Sequence, residues 1–491
     1  MKLHRDRYIL KGMVLYLFTV MCICTFRHVG ADDAAAPAQQ PAIMIDWIHA
    51  NDFSMIGLKP DVYEYHLQSG FRRGFEYLNQ RGLGTHYESI GPITPGMLSK
   101  YRLLFLNLVS AEREPFTVDE IKAIKDYIEN GGSMLVITDH TNCYYHSHRL
   151  KPLFNELGLK SYTSTACDVP PNTLGTGNGW IMISRFAQHP VTRGLRGIGF
   201  QSGGCADQDT AVAFTSPESW ADEWQTGSYG EENAPGFYGN FERDPGEKNG
   251  PLGVVAAKEL GRGRIVVVGD QNIFSDTFIN YADNYRLWLN IMAWLLHDES
   301  LTDAGRYETS QSSPRIVFYE QYDRPMFGSD ADQGYFNAMC LINRHYWTLA
   351  IDRLPEYADL LVLADDRYVL PKPMLDQIVR HLLSGKNILI LHGETETPAA
   401  TADQSPPQQV PTHRQIAEAM AAHTTKTTVS SRQGKNITQY HTQTGPVGAV
   451  HILTGNTLYD NTTIPKPTVK PPIDVQHLTG RLMMMIHEAL Q

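Results

Sequence analysis

The sequence predicts an α/β protein made of two tandem parallel-sheet domains, the second a smaller and degenerate copy of the first. Strand-patterned and helix-patterned segments alternate along most of the chain, as in a parallel sheet covered by helices. The order of those segments in the first half returns in the second. Between the two runs lies a polar stretch without apolar period, residues 299–313, which reads as a linker.

The first copy opens with a buried strand at 42–47 (AIMIDW), followed by an amphipathic helix at 63–80 and a second strand at 102–108 (RLLFLNL). The helix at 117–130 starts at a capping box, with Thr117 before it and Glu120 three positions on. Gly131-Gly132 stops it and leads to a strand at 133–137. A further strand at 263–268 (GRIVVV) precedes a helix at 283–296. Residues 142–260 are an insertion rich in Gly, Pro, Asn and aromatics, including Trp220, Trp224 and Tyr229. Such a segment either caps one end of a sheet or walls a binding site.

The second copy repeats the sequence of elements. The run 315–319 (RIVFY) resembles the opening strand, and Pro325-Met326-Phe327-Gly328 echoes Ser54-Met55-Ile56-Gly57. Residues 359–363, 373–383, Gly385 with 387–391, 448–453 and 478–490 follow as strand, helix, stop and strand, strand, and helix. Matches in one order make a duplication the best account, with domains at 42–298 and 314–491.

Ahead of the first domain, Lys2, His4, Arg5, Arg7 and Lys11 precede a short apolar run at 13–26 that ends in Val29-Gly30-Ala31. This is a signal-peptide pattern, residues 1–31 cleaved after Ala31, with 32–41 a flexible lead-in. It places the mature chain in the periplasm or outside the cell. The alternative is an uncleaved anchor counted from Tyr8, the one case in which the protein meets a membrane. The 491 residues carry a net charge of −11 without a basic run, which disfavours nucleic acid as a partner. Cys143, Cys167, Cys205 and Cys340 are too few for a disulfide scaffold. Either Cys167 and Cys205 form one bridge or all four are free thiols. The sequons at Asn436 and Asn461 matter only in a glycosylating host.

Ligands of open parallel sheets bind beyond the carboxyl ends of the strands. In the first copy those ends deliver His49 and Asn51 with Asp46 and Asp52; Asp139, His140, Thr141 and Asn142 with His146 and His148; and Asp270, Gln271, Asn272, Ser275 and Asp276. In the second they deliver Glu320 and Asp323, then His392, Gly393 and Glu394, then Gly455 and Asn456. The polar set is thinner there, so any site belongs to the first copy. Its members admit several roles. Asp139 and Asp270 cap the following helices, or pair with His49 for acid–base work. His140, His146 and His148 are the residues suited to a metal, although no HExxH pattern is present. Trp220, Trp224 and Tyr229 either stack on a sugar or form the core of the insertion. No cofactor is implied.

Two segments carry a family resemblance. One is 103–140, a strand, a Thr-x-x-Glu helix, Gly-Gly and a strand ending in Thr138-Asp139-His140. The other is 261–284 (GRGRIVVVGDQNIFSDTFINYADN), followed by a helix ending in Trp294-Leu295. They resemble the class I glutamine amidotransferase-like superfamily, of flavodoxin-like fold. The similarity is to its exported or membrane-linked branch of gliding-motility transporter accessory and trehalose-utilisation-type proteins, closely in the first copy and loosely in the second. Amidotransferases of this superfamily carry a nucleophilic cysteine on the turn after the second of these strands. Here that turn holds Thr138, Asp139 and His140, with Cys143 three residues on, which argues against glutamine hydrolysis. The resemblance implies an exported non-amidotransferase that binds a small polar ligand, carbohydrate included, or an envelope protein. The crevice would be formed by His49, Asn51, Asp139, His140, Asn142, Asp270, Gln271 and Asn272. A glycan or amide hydrolase, with or without metal, and a structural module of an envelope assembly are the rival expectations.

Overall fold

Short apolar runs between polar turns set the strands of the first half. These are β1 (Ile43–Asp46), β2 (Thr85–Glu88), β3 (Leu103–Asn107), β4 (Ser133–Ile137), β5 (Ser164–Cys167), β6 (Trp180–Ile183), β7 (Arg185–Phe186), β8 (Ile198–Gln201), β9 (Ala211–Phe214), β10 (Trp220–Glu223), β11 (Gly253–Leu260) and β12 (Gly263–Val268). The computed structural model describes residues 42–50, 70–175, 177–224, 239–302, 315–393, 410–432, 435–454, 459–470 and 472–491. The predicted leader, Asn51, the Ser54–Gly57 echo, Tyr229, Glu394, Gly455 and Asn456 lie outside the described residues. Among the described residues no helix is long and apolar enough to cross a membrane.

The first sheet has eight strands in the order β2-β1-β3-β4-β12-β11-β9-β7. From β2 to β12 neighbours are parallel, and β11, β9 and β7 continue the sheet antiparallel. Numbered within the half, the parallel strands run 2-1-3-4-5, the flavodoxin-like order. The second half builds β13 (Arg315–Tyr319), β14 (Trp347–Ile351), β15 (Leu360–Leu363), β16 (Asn387–Gly393), β17 (Lys426–Arg432), β18 (Lys435–Thr442) and β19 (Gly445–Thr454). Its seven-stranded sheet runs β14-β13-β15-β16-β19-β18-β17, again with five parallel strands and an antiparallel extension. Two flavodoxin-like domains in tandem are therefore present, the second without the insertion.

Helices α1 (Arg72–Gln80), α2 (Val118–Glu129), α3 (His146–Glu156) and α4 (Asn284–Leu296) clothe the first sheet. Side chains alternate across a strand, and the two faces bury separate cores. Ile45, Phe105, Ile137 and Val268 pack with Phe75 and Trp288 on one face. Met44, Leu106, Val136 and Val267 pack with Ile121, Ile124 and Leu153 on the other. In α2 the Thr117 hydroxyl accepts from the Glu120 amide, and the Glu120 carboxylate accepts from the Thr117 amide at 2.9 Å, the capping box read from the sequence. Thr117→Ala is expected to cost about 1 kcal/mol, read as a lower urea midpoint with unchanged slope.

Every residue of α4 except Arg286 is buried. A helix apolar on all sides is one covered on all sides, and here the second half supplies the cover. Its own helices are α5 (Phe336–Asn343), α6 (Lys372–Leu383), α7 (Thr412–Ala421) and α8 (Ile473–Ala489). Its core takes in Leu174, Met182, Phe278 and Tyr281 from the first half. The Ala282 amide donates to the Ala350 carbonyl and the Ala350 amide to the Asn280 carbonyl, so residues 280–282 cover the edge of β14.

The insertion is more regular than its composition suggests. β5 pairs with β10 and β6 with β8, while β7 and β9 extend the main sheet. The expected Cys167–Cys205 bridge does not form, and the four cysteines are free thiols. Cys167 lies in the β5–β10 ladder opposite Trp220, whereas Cys205 accepts from the Ser164 hydroxyl at 3.4 Å.

Candidate functional site at the strand ends and the interface of the halves

β4 and β12 are neighbours with Ile137 opposite Val268, so Asp139 and Asp270, two residues past each, come to the same edge. They meet as the strand-end rule requires. Asp270 accepts from the Gln201 and Asn272 amides, both at 2.7 Å, and Asp139 from the His140 amide at 2.8 Å. Asp270 is fully buried and Asp139 nearly so. Above them run Gly203 and Gly204. A Cβ at Gly204 would stand 2.4 Å from the Asp139 carbonyl oxygen, and one at Gly203 would stand 2.7 Å from the Asp270 Cβ. The glycines are what let the insertion close down on the strand ends. Burial lifts the Asp270 carboxyl to about 7. Burial, followed by the charge of Asp270, holds Asp139 well above the usual carboxylate range.

The turn after β4 packs tightly. His140 Nδ1 lies 3.0 Å from the Thr141 hydroxyl, and burial depresses this imidazole to about 3. His146 Nδ1 donates to the Cys143 carbonyl at 2.8 Å, while Nε2 accepts from the Asp139 amide at 3.4 Å; the Ser147 hydroxyl, 3.1 Å from Nε2, donates to the Tyr162 carbonyl. Burial takes His146 to about 4. The Asn142 amide nitrogen donates to His148 Nδ1 at 2.6 Å, and the His148 ring packs against Tyr145 and Trp224. The expected His140–His146–His148 metal set is thus not assembled, because two of its members are committed elsewhere. The donor atoms of Asp139, His140 and Cys143 gather instead, all within 4.8 Å of one another. The Cys143 thiol sits 3.8 Å from His146 Nδ1, but that nitrogen is already bound to the Cys143 carbonyl and the residue is buried. No elbow raises this thiol into a crevice.

His49 does not join the acids, and the expected pairing with Asp139 or Asp270 is corrected. Asp46 lies two residues past Met44, on the α2 face, whereas Asp139 and Asp270 follow Ile137 and Val268 on the Trp288 face. His49 Nδ1 is 3.2 Å from Asp46, its Nε2 is 3.3 Å from Glu120, and its ring stacks on Phe116 at 4.0 Å. Glu120 thereby serves twice, since its other contacts are the Thr117 cap and the Ile93 amide at 2.8 Å. Burial works to raise this carboxyl, but the amide donors and His49 hold it below its ordinary value. Gln271 is buried beside the strand end, and the Asn272 side chain donates to the Gln201 carbonyl at 3.4 Å. Trp220 is buried under Arg243 in the core of the insertion, whereas Trp224 is half-buried against Tyr145 and His148.

Two features escape the sequence reading. Asn107 ends β3 opposite Ile137 with both side-chain polar atoms buried and unpartnered. A cavity of about 220 Å³ opens between the halves, lined by Asp283, Arg286, Leu289, Arg353, Tyr357 and Gln377 among others. In it Asp283, nearly fully buried, meets Arg353 at 2.8 Å.

No protein-family model matches the chain, and none of the curated proteins matches it. Solved structures do. The mmIFT52 N-terminal domain is 15% identical over 52% of this chain and 97% of its own, with a TM-score of 0.37. A putative ThuA-like protein from Bacteroides uniformis is 18% identical over 55% of this chain and 95% of its own, with a TM-score of 0.31. Another from Parabacteroides merdae is 14% identical over 46% of this chain and 78% of its own, with a TM-score of 0.23. ThuA-like proteins thus stand among the solved structures similar to this chain.

Proposed function

We propose that the protein is an exported binding module of amidotransferase-like fold, without glutamine hydrolysis, whose ligand is a small polar molecule of sugar or sugar-acid type. One observation carries the reading: the 220 Å³ cavity between the halves combines an apolar floor with guanidinium, amide and phenol groups. Ligand sites favour domain interfaces and this mixture of linings. The volume suits a single hexose-sized ring. Leu289, Leu349 and Leu354 offer the apolar wall, and Arg286, Arg353 and Gln377 the hydrogen-bonding groups. The strand-end crevice is the weaker seat, because Asp139 and Asp270 are covered and bound to amides. Export rests on the residue 1–31 leader.

The test is thermal unfolding with a panel of monosaccharides, uronic acids and peptidoglycan fragments. A ligand at a hundred times its Kd is expected to stabilise by about 2.7 kcal/mol. Arg286→Ala, at an exposed position of α4, is expected to abolish that shift and leave the unliganded protein unchanged. A flat profile across the panel, or a shift indifferent to Arg286→Ala, rejects the reading.

A further inference from the structure

We propose that the turn after β4 is a Zn²⁺ site in which Asp139, His140 and Cys143 supply a carboxylate oxygen, an imidazole nitrogen and a thiolate sulfur. This goes beyond the ligand-binding reading and stands whatever occupies the cavity between the halves. The donor atoms lie within 4.8 Å of one another before any metal draws them in. Tetrahedral zinc with ordinary bond lengths sets such atoms roughly 3.3–3.8 Å apart, a contraction that side-chain rotation can supply.

The backbone of the turn is bent for closeness. Thr141, Tyr144 and Tyr145 all have positive φ, at 46°, 52° and 60°. Three non-glycine residues in the left-handed region within five positions are strained, and strain of this kind collects at ligand clamps. The second layer is also in place. His140 Nδ1 lies 3.0 Å from the Thr141 hydroxyl, a contact that orients the ring. Buried Asn142 Oδ1 has no hydrogen-bond partner. Asp270, on the adjacent strand, adds a second buried carboxyl to the same edge, and a cation there favours the ionised forms that burial opposes.

The mixture of donors selects the metal. Carboxylates alone suit magnesium or calcium, whereas thiolate with imidazole suits zinc. Three protein donors leave one position for water. On binding, the Cys143 thiol loses its proton to solvent, and so does the Asp139 carboxyl where it is protonated.

The experiment uses the full mature chain, stripped with chelator and titrated with Co²⁺ as a spectroscopic stand-in for zinc. One equivalent is expected to produce visible bands of tetrahedral cobalt and a near-ultraviolet sulfur-to-cobalt absorption, both removed by added Zn²⁺. Cys143→Ser is expected to lose the near-ultraviolet band, and His140→Ala to weaken Co²⁺ binding tenfold or more. Cys167→Ser serves as the folded control and keeps the band. Absence of the band in the natural chain overturns the proposal, as does its persistence in Cys143→Ser.

Discussion

Asn343→Ala is expected to destabilise the protein by about 2–4 kcal/mol, since it leaves a buried guanidinium N–H and two further buried donors without their acceptor. Asn343 ends α5 in the second half, and its Oδ1 accepts from Arg73 Nη1 at 2.6 Å, Thr348 Oγ1 at 2.6 Å and Asn280 Nδ2 at 3.2 Å. Its own amide nitrogen donates to the Asp276 carbonyl at 2.9 Å, and its backbone carbonyl accepts from Arg73 Nη2. Arg73, on α1 of the first half, is buried, with its guanidinium 5.6 Å from the Trp347 ring. Burial lowers its pKa, opposed by the charge of Asp276. Truncation to alanine removes one of its two hydrogen-bonding partners and orphans the Asn280 and Thr348 donors. Arg73→Met in the same chain removes the charge as well, so the double variant is expected to recover part of the loss. Urea unfolding of the four chains measures this. A loss under 1 kcal/mol for Asn343→Ala means that water reaches the hub and that the halves are held by their shared apolar core instead.

The two-sheet plan is legible because parallel strands covered on both faces read as unbroken apolar runs. LLFLN in β3, SMLVI in β4 and LLVL in β15 are such runs. β2 (THYE), half-buried, and β17 (KTTVSSR), mostly exposed, are sheet edges and carry no such signature. The meeting of Asp139 and Asp270 follows from strand ends alone. The separation of His49 does not, since it depends on a one-residue phase difference at β1 that only the register fixes. The glycine pair 203–204 is a signal for close backbone approach, but its target lies some sixty residues away in each direction and no local pattern names it. The cavity between the halves is invisible to any reading of one segment, because packing of α4 against the end of β14 creates it.

Glu320 makes the second half sensitive to pH in the direction opposite to an ordinary salt-bridged acid. It stands one residue past the end of β13, and its two oxygens accept from the Met326 and Gly328 amides, both at 2.7 Å. The side chain is fully buried, and burial raises its pKa to about 7 even against those donors. A carboxyl whose folded pKa exceeds its unfolded value takes up a proton on folding. Its contribution is complete below about 4, the unfolded value, and is lost as pH rises through about 7. Between pH 5 and pH 8 the natural chain is therefore expected to lose stability, with Glu320 responsible for on the order of 2–4 kcal/mol. Glu320→Gln cannot ionise and retains only one acceptor for the two amides. It is expected to be weaker than the natural chain at pH 5, to lose much of the slope and to overtake it by pH 8. Asp270, raised to about 7 in the first half, accounts for the slope that remains. Urea midpoints of both chains across this range check the sign. An equal slope in Glu320→Gln means that the Met326 and Gly328 amides already keep the carboxylate charged, and that this loop is held by an anion at every working pH.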